Sequence, residues 1–261
     1  MHPVINIALR AARSAAEQIS HQVDRLDRVN VVEDNANGLL TSMDLDAERS
    51  ILYHLQKAYP DYSVFSRATG LTAGSDTDNT WLIDPLAGNR NYIRGNPGFC
   101  VSLALKTRNV ISHAIVINPS SGQEFTASRG NGAQLNGSRI RVGQRRSIDK
   151  GLSAIDVDSQ NGAETAIALQ SALLQAGSDI RVSGCPALDM VYSAAGRIDA
   201  GWCVAQHEAT LAAAKLILQE SGALLSDPAG NPITTGSKEL LYGSPKCFKE
   251  LIQLRQQIQK Q

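Results

Sequence analysis

The sequence predicts a mixed α/β protein, because its two parts follow different secondary-structure patterns. In the first part, turn residues separate apolar stretches at Phe99–Leu105, Ile111–Ile117 and Glu124–Ser128, which is typical of an antiparallel meander. Beyond about residue 148, helical and strand patterns alternate, as they do where helices pack on a sheet. We therefore expect an α+β half at residues 1–148 and an α/β half at residues 149–261.

The first half opens with a predicted amphipathic helix. Pro3 suits a first helical turn, and apolar residues then recur at helical spacing up to Val23. A second helix should begin near Asp44, capped by Asp44 or Ser42, and end before Pro60. The other expected elements are strands at Leu39–Ser42, Tyr62–Ser66 and Thr80–Asp84, a loop at Thr69–Asn79, and a short hairpin that ends in Arg139–Val142.

The second half is predicted to alternate between helices and strands up to a Gln-rich helix, Pro245–Gln261, whose end should fray. The expected helices are Ala163–Ala176, Ala187–Ala195 and Thr210–Ser221, and the expected strands are Ile180–Ser183, Ile198–Val204 and Ala223–Ser226.

The overall charge does not favour a nucleic-acid-binding protein. The 261 residues include 25 basic and 25 acidic side chains, so the formal net charge is zero. A local basic run remains at Arg139, Arg141, Arg145 and Arg146. No aromatic residues interleave this run, so we interpret it as a solvated hairpin rather than an RNA contact.

The cysteines and the N-terminus indicate a cytoplasmic protein. Cys100, Cys185, Cys203 and Cys247 form no CxxC pair, and we expect them to be buried, reduced thiols. The first residues contain no long uncharged apolar run, which argues against a signal peptide and a membrane span.

The segment Trp81–Tyr92, WLIDPLAGNRNY, is the most informative stretch of the chain. Its apolar run ends in Asp84, and Pro85 ends the strand or confines it to a sheet edge, because proline has no N–H to donate. Gly88 permits a tight turn or a close approach of the backbone to a ligand. The pattern predicts a carboxylate presented at the carboxyl end of a strand, where many α/β folds place an active site.

This segment resembles WxIDPxDGTxNF, the signature of the inositol monophosphatases and of their bacterial SuhB (extragenic suppressor) branch. Ala87 stands where the family has its second aspartate, and Asn89 where it has its catalytic threonine. The stretches TASRGNGAQLNGSRIRV, SGCPALDMVYSAAGRIDA and QESGALLSD extend the resemblance over nearly the whole chain. The resemblance implies a layered αβαβα sandwich.

The resemblance also implies Mg²⁺-assisted hydrolysis of phosphate monoesters, with carboxylates as metal ligands. Of the family's ligands, Asp84 and the carbonyl of Leu86 remain as a vestigial metal site, and Asp44 survives as a neighbouring group. The matching positions place Arg67 at the family's first glutamate and Thr210 at its last aspartate, unless Glu208 partly substitutes for that aspartate. The substrate-facing glutamate matches Cys203. With these replacements we expect no bound Mg²⁺ and no intact catalytic set.

Two interpretations of Arg67 stay open at this point. Together with Arg90 and the backbone of Gly88 and Asn89, it would form a metal-free anion site for a phosphate group, with a partly hydrated guanidinium. Alternatively, Arg67 pairs with Asp84 and fills an unused pocket.

The leading functional hypothesis is therefore a catalytically inactive binding or regulatory protein. The SuhB branch implies a role in ribosomal RNA transcription antitermination, with Nus factors and RNA polymerase as partners. It also implies a homodimer, with Asp179–Ala187 at the interface. The alternatives are a weak or altered Mg²⁺-dependent phosphatase of inositol or sugar phosphates, and a sensor of phosphate-type anions.

Overall fold

The computed structural model describes residues 3–35, 38–157 and 161–259. The helices are α1 (Pro3–Gln22), α2 (Ser42–Ala58), the single turn α3 (Asn89–Tyr92), α4 (Ala163–Gln175), α5 (Pro186–Ala194), α6 (Glu208–Glu220) and α7 (Pro245–Ile258). A 3₁₀ segment, Val23–Arg28, follows α1 directly. The end of the predicted last helix, residues 260 and 261, lies outside the described residues.

The strands form two large sheets and one small ribbon. They are β1 (Val31–Asn35), β2 (Gly38–Thr41), β3 (Tyr62–Ser66), β4 (Gly70–Thr72), β5 (Asp76–Ala87), β6 (Cys100–Thr107), β7 (Val110–Asn118), β8 (Gln123–Ser128), β9 (Ala133–Leu135), β10 (Ser138–Ile140), β11 (Leu152–Ile155), β12 (Asp179–Arg181), β13 (Ala200–Val204), β14 (Leu224–Ser226) and β15 (Glu239–Gly243). β1 and β2 pair as the ribbon.

The first large sheet has eight strands in the order β10-β9-β8-β7-β6-β5-β3-β4. Strands β6 to β8 form the predicted antiparallel meander, which β5 on one side and β9 and β10 on the other extend in antiparallel fashion, and β3 lies parallel to β5. The prediction of a loop over Thr69–Asn79 is wrong in part, because β4 pairs with β3 and β5 already begins at Asp76. Polar residues fill this stretch because most of it faces solvent, so its composition concealed the strand pairing.

The second sheet has five strands in the order β12-β11-β13-β15-β14. β11 is parallel to both β12 and β13, whereas β15 is antiparallel to β13 and β14. The sequence analysis missed β11 and β15, and it also missed β1 in the ribbon. β11 and β15 are buried along almost their whole length, and β1 is exposed along its whole length, so none of them shows the alternation that identifies a half-buried strand.

The layers follow the order helix, sheet, helix, sheet, helix, which confirms the αβαβα sandwich. One core lies between α1 and α2 and the first sheet. A second core surrounds α5 and α6 between the two sheets. A third lies between the second sheet and the pair α4 and α7.

The N-cap residue of α2 is neither of the two predicted ones, Asp44 and Ser42. Thr41 is the N-cap residue, and Asp44 is the third helical residue of a capping box, in which each residue satisfies the other's backbone N–H. This arrangement explains why Asp44 is fully buried at the start of a helix. All four cysteines are buried and free, as predicted. Within the described residues, no helix combines the length and apolarity that crossing a bilayer requires.

Candidate functional site

The end of β5 delivers Asp84 to the middle of the molecule. The pairing of β5 with β6 shifts between Asp84 and Ala87, so the strand bends where its carboxylate emerges. Gly88 then turns the chain into α3 with φ +89°, and a Cβ at this residue would lie 2.4 Å from the carbonyl oxygen of Gly98. Glycine is therefore required at this turn both by conformation and by space.

Arg67 reaches the same point from the end of β3, which runs parallel to β5. Its side chain is only 13 % exposed, and Nε donates to Asp84 at 2.9 Å. Nη2 donates to the carbonyl of Leu86 and to Oδ1 of Asn89, both at 3.2 Å, and to the Asp44 carboxylate. The guanidinium thus lies between the carboxylates of Asp44 and Asp84 and beside the carbonyl of Leu86. The resemblance implies that Asp84 and this carbonyl are what remains of a metal site.

This geometry confirms the pairing of Arg67 with Asp84 and differs from the expectation of a partly hydrated guanidinium. Burial by itself lowers the pKa of Arg67, but the charges and hydrogen bonds of Asp84 and Asp44 outweigh it and raise the pKa above its ordinary value. Arg67 is therefore permanently charged in this position.

Asp44 is held by more donors than Arg67 alone. Thr41 donates to one of its oxygens from the backbone N at 2.8 Å and from Oγ1 at 2.7 Å. The amide of Asn89 bridges both oxygens at 2.8 and 2.7 Å. Burial nevertheless raises the pKa of Asp44, and the Arg67 charge and these hydrogen bonds only partly offset that effect.

The C-terminal half closes the site through α6. Thr210, in the first turn of α6, donates its hydroxyl to Asp84 at 2.5 Å, and Ser102 donates to the Thr210 carbonyl at 3.1 Å. Glu208 points elsewhere, towards Lys106 at 3.4 Å, and its side chain is 41 % exposed. Of the two candidates for the family's last aspartate, Thr210 is therefore the one that reaches the site.

His207 lies at the edge of this cluster. Its ring packs 4.9 Å from the ring of Phe65, and Nδ1 accepts from the N–H of Ala209 at 3.3 Å, so it caps α6. Burial lowers the pKa of His207, and the neighbouring Arg67 lowers it further, while Asp84 opposes this shift. A neutral imidazole therefore covers the buried charges.

We define the Arg67 cluster as Arg67, Asp44, Asp84, Asn89 and Thr210. Its donor set does not fit Mg²⁺, which requires several oxygen ligands at close range in octahedral geometry. The oxygens that face inwards already accept hydrogen bonds from a guanidinium, an amide and a hydroxyl. A divalent cation would have to displace a buried cation of the chain itself.

The residues predicted for an anion site are not all brought together. Arg90 pairs with Asp34 at 2.8 Å, and its side chain is 61 % exposed. All three nitrogens of Arg67 donate within the protein, since Nη1 reaches the carbonyl of Leu39 at 3.4 Å. An incoming phosphate would meet a guanidinium whose three nitrogens already donate within the protein.

Beside the cluster lies Ala87, at the position where the family has its second aspartate, and the thiols of Cys185 and Cys100 lie next to it. Cys185 Sγ lies 3.7 Å from the carbonyl oxygen of Ala87 and 3.8 Å from Cys100 Sγ. The contact with Cys185 and burial raise the pKa of Cys100, and burial raises that of Cys203. The thiols of Cys100 and Cys203 are therefore protonated and add no negative charge.

The sequence analysis missed two buried polar contacts near the cluster. Glu48 accepts from Thr69 Oγ1 at 2.9 Å and is 3 % exposed. Its spacing of four residues from Asp44 on one helix face was the available signal. Asn91 donates to Gly98 at 2.7 Å and to Ser183 at 2.8 Å, so it links the two halves.

Comparisons with known proteins agree with the fold. The sequence profile of the inositol monophosphatase family matches residues 1–260. The chain is 40% identical over 258 residues to the Nus factor SuhB of Pseudomonas aeruginosa strain PAO1, covering 97% of this chain and 95% of that protein. It is 35% identical over 256 residues to the Nus factor SuhB of Escherichia coli K12, with the same coverage of 97% and 95%.

A solved structure is similar over the same length. The crystal structure of extragenic suppressor protein suhB from Bartonella henselae superimposes with a TM-score of 0.94 at 28% sequence identity. The match covers 97% of this chain and 98% of that one. The likeness thus extends through both sheets and the helices between them.

Proposed function

The chain belongs to the inositol monophosphatase family, and from this premise we propose that it is a SuhB-like member that acts by binding rather than by hydrolysis. The observation that carries the proposal is the position of Arg67. Its guanidinium bonds Asp84 and the Leu86 carbonyl, which a phosphatase of this family would offer to metal, and also the neighbouring Asp44. Without metal, the phosphate group would lack the Lewis acid that polarises it, and the attacking water would lack the cation that activates it.

We further propose that the binding partner is the transcription machinery in the cytoplasm. The relatives that match over nearly the full length are named Nus factors, and an antitermination role through protein contacts does not require metal chemistry. The Arg67 cluster then serves to hold the two halves together, because Thr210 of the second half donates to Asp84 of the first.

Hydrolysis assays test the first part of the proposal. The wild-type protein is expected to show no Mg²⁺-dependent release of phosphate from inositol 1-phosphate or from a panel of sugar phosphates. Turnover that responds to Mg²⁺ and disappears in Asp84→Asn would overturn the proposal and support the alternative, a weak or altered phosphatase.

A variant that restores the acids provides the matched positive control. We expect Arg67→Glu combined with Ala87→Asp and Thr210→Asp to bind Mg²⁺ in a calorimetric titration, while the wild-type protein does not. Equal Mg²⁺ binding by both proteins would contradict the argument that the internal guanidinium excludes the metal.

Affinity purification from the native cell extract tests the second part. A tagged wild-type chain is expected to retain RNA polymerase and Nus factors after nuclease treatment, which removes contacts bridged by nucleic acid. A direct role in that complex would be contradicted if nuclease treatment releases both RNA polymerase and the Nus factors. It would also be contradicted if neither of them binds even without nuclease.

We also propose that the protein is a homodimer. The predicted interface, Asp179–Ala187, includes β12, an edge strand of the second sheet, and Val182 is 53% exposed beside it. Light scattering at micromolar concentration is expected to give twice the chain mass of 27.9 kDa. A monomer mass would refute this proposal.

A further inference from the structure

A cavity of about 590 Å³ opens between α1, the 3₁₀ segment and α2. Its walls are the last turn of α1, the 3₁₀ segment Val23–Arg28 and the first turns of α2. The volume falls within the range of about 300–1,000 Å³ that is typical of small-molecule sites. We call it the α1–α2 cavity.

Basic side chains outnumber acidic ones around this cavity. Arg28, Arg49 and His21 line it, and Asp46 is the one carboxylate in the lining. The two arginines and the aspartate together give this wall a formal charge of +1. An anion would therefore be attracted, in a protein whose net charge is zero.

The two arginines are available for a ligand. Arg28 is exposed and makes no hydrogen bond or ion pair within residues 3–35, 38–157 and 161–259. Arg49 pairs with Asp46, but their side chains are 74% and 49% exposed. Because such exposed pairs contribute only about 0–1 kcal/mol, Arg49 can turn to a ligand at little cost.

The backbone of the cavity is well anchored, so its shape does not depend on a ligand. The N–H of Ser42 donates to the carbonyl of Asn30 at 2.8 Å, and the N–H of Asn30 donates to Ser42 Oγ at 3.1 Å. Met43 is buried beneath the wall.

We propose that the α1–α2 cavity binds a small multivalent oxyanion, such as a diphosphate or polycarboxylate metabolite, between Arg28 and Arg49. The two guanidiniums belong to different elements, so a ligand with two anionic groups can engage both, whereas a single small ion engages one. Gln18, on the last turns of α1, offers an amide to the uncharged part of such a ligand. The site is independent of the Arg67 cluster and of the function proposed above.

Calorimetric titration at fixed ionic strength tests this proposal, with pyrophosphate and citrate as separate probes. The wild-type protein is expected to bind at least one of them with a stoichiometry of one per chain. Arg28→Ala and Arg49→Ala should each weaken that binding at least about tenfold, as expected for the loss of one charge-assisted contact. The probe that binds more tightly identifies the chemistry as phosphate or carboxylate.

Arg25→Ala is the matched control, because Arg25 is an exposed arginine of the same 3₁₀ segment that does not line the cavity. Its affinity should equal that of the wild type. Arg90→Ala separates this cavity from the surface near the Arg67 cluster and should also leave the affinity unchanged. Absence of saturable binding with both probes, or equal weakening in all four variants, would overturn the proposal.

Discussion

Two arginines with little exposed surface, Arg67 and Arg255, form ion pairs in different parts of this molecule, and they do so in different ways. Arg255 on α7 is 4% exposed and donates to both oxygens of Glu239 on β15, at 2.8 and 2.6 Å. Trp202 on β13 donates to the same carboxylate at 2.7 Å. Arg67 instead meets two carboxylates, Asp44 and Asp84, from two different elements.

The difference lies in the balance of charge. The Arg255 pair contains one cation and one anion, and it fixes a helix to a neighbouring strand as a structural ion pair does. The Arg67 cluster contains one cation and two anions, so neutral donors such as Thr210 and Asn89 must satisfy the remaining oxygens. Buried acids that outnumber their cation and converge from separate elements are typical of a metal site, whereas a one-to-one bidentate pair is typical of a structural contact.

The largest expected effect is that of Arg67→Ala. The substitution leaves two buried carboxylates without their cation, and breaking a buried pair in this way costs about 3–5 kcal/mol. Thermal and denaturant unfolding of the wild type, Arg67→Ala and the control Arg90→Ala measure the loss at pH 7. The loss should shrink towards pH 5, because burial already raises the pKa of Asp44 and removal of Arg67 raises it further. A loss below about 1 kcal/mol, the range for an exposed pair, would show that the cluster is hydrated.

A smaller effect is expected for Glu239→Gln, about 2–3 kcal/mol at pH 7, because the amide oxygen still accepts one hydrogen bond. Burial alone would raise the pKa of Glu239, but the hydrogen bonds from Arg255 and Trp202 hold it below its ordinary value of 4.5. The stability that the carboxylate supplies is therefore present above pH 4.5 and is lost as the pH falls through the lowered value.

Unfolding of the wild type and Glu239→Gln between pH 7 and pH 3 measures this dependence. The difference between the two proteins should be constant above about pH 5 and shrink below it. The two variants should therefore behave differently in mild acid. Between pH 7 and pH 5 the loss of stability caused by Arg67→Ala shrinks, whereas the loss caused by Glu239→Gln stays constant. If both losses depend on pH in the same way, the Arg67 cluster and the Arg255–Glu239 pair do not differ in their balance of charge.

The smallest effect is expected for Thr210→Val, which keeps the shape of the side chain and removes the hydroxyl that donates to Asp84. One hydrogen bond to a buried carboxylate is worth about 1.5–3 kcal/mol, and the variant should lose the lower part of that range because Arg67 remains. Thr210→Ser retains the donor and serves as the control in the same unfolding measurement. Equal stability of the valine and serine variants would show that α6 does not depend on this contact.

Much of the architecture was predictable because the signals are local. Helical spacing identified α1, and Asn136-Gly137 identified the hairpin turn before β10, where both residues adopt positive φ. The exposed ribbon strand β1 escaped prediction because one exposed strand has no apolar periodicity. The cap of α2 was misplaced because Asp44 is the third residue of a capping box, and a single sequence offers Thr41, Ser42 and Asp44 equally.

The sequence by itself determined the family, the layered fold and the replacement of acids by Arg67, Ala87 and Thr210. Each of these follows from residue identities along the chain. Only the tertiary structure decided that Arg67 is buried against Asp44 and Asp84, that Thr210 rather than Glu208 reaches Asp84, and that Arg90 lies apart on the surface. The physical reason is that the charge state and hydration of a side chain depend on what other elements bring within a few ångströms of it, and those neighbours lie up to 126 residues away in the sequence.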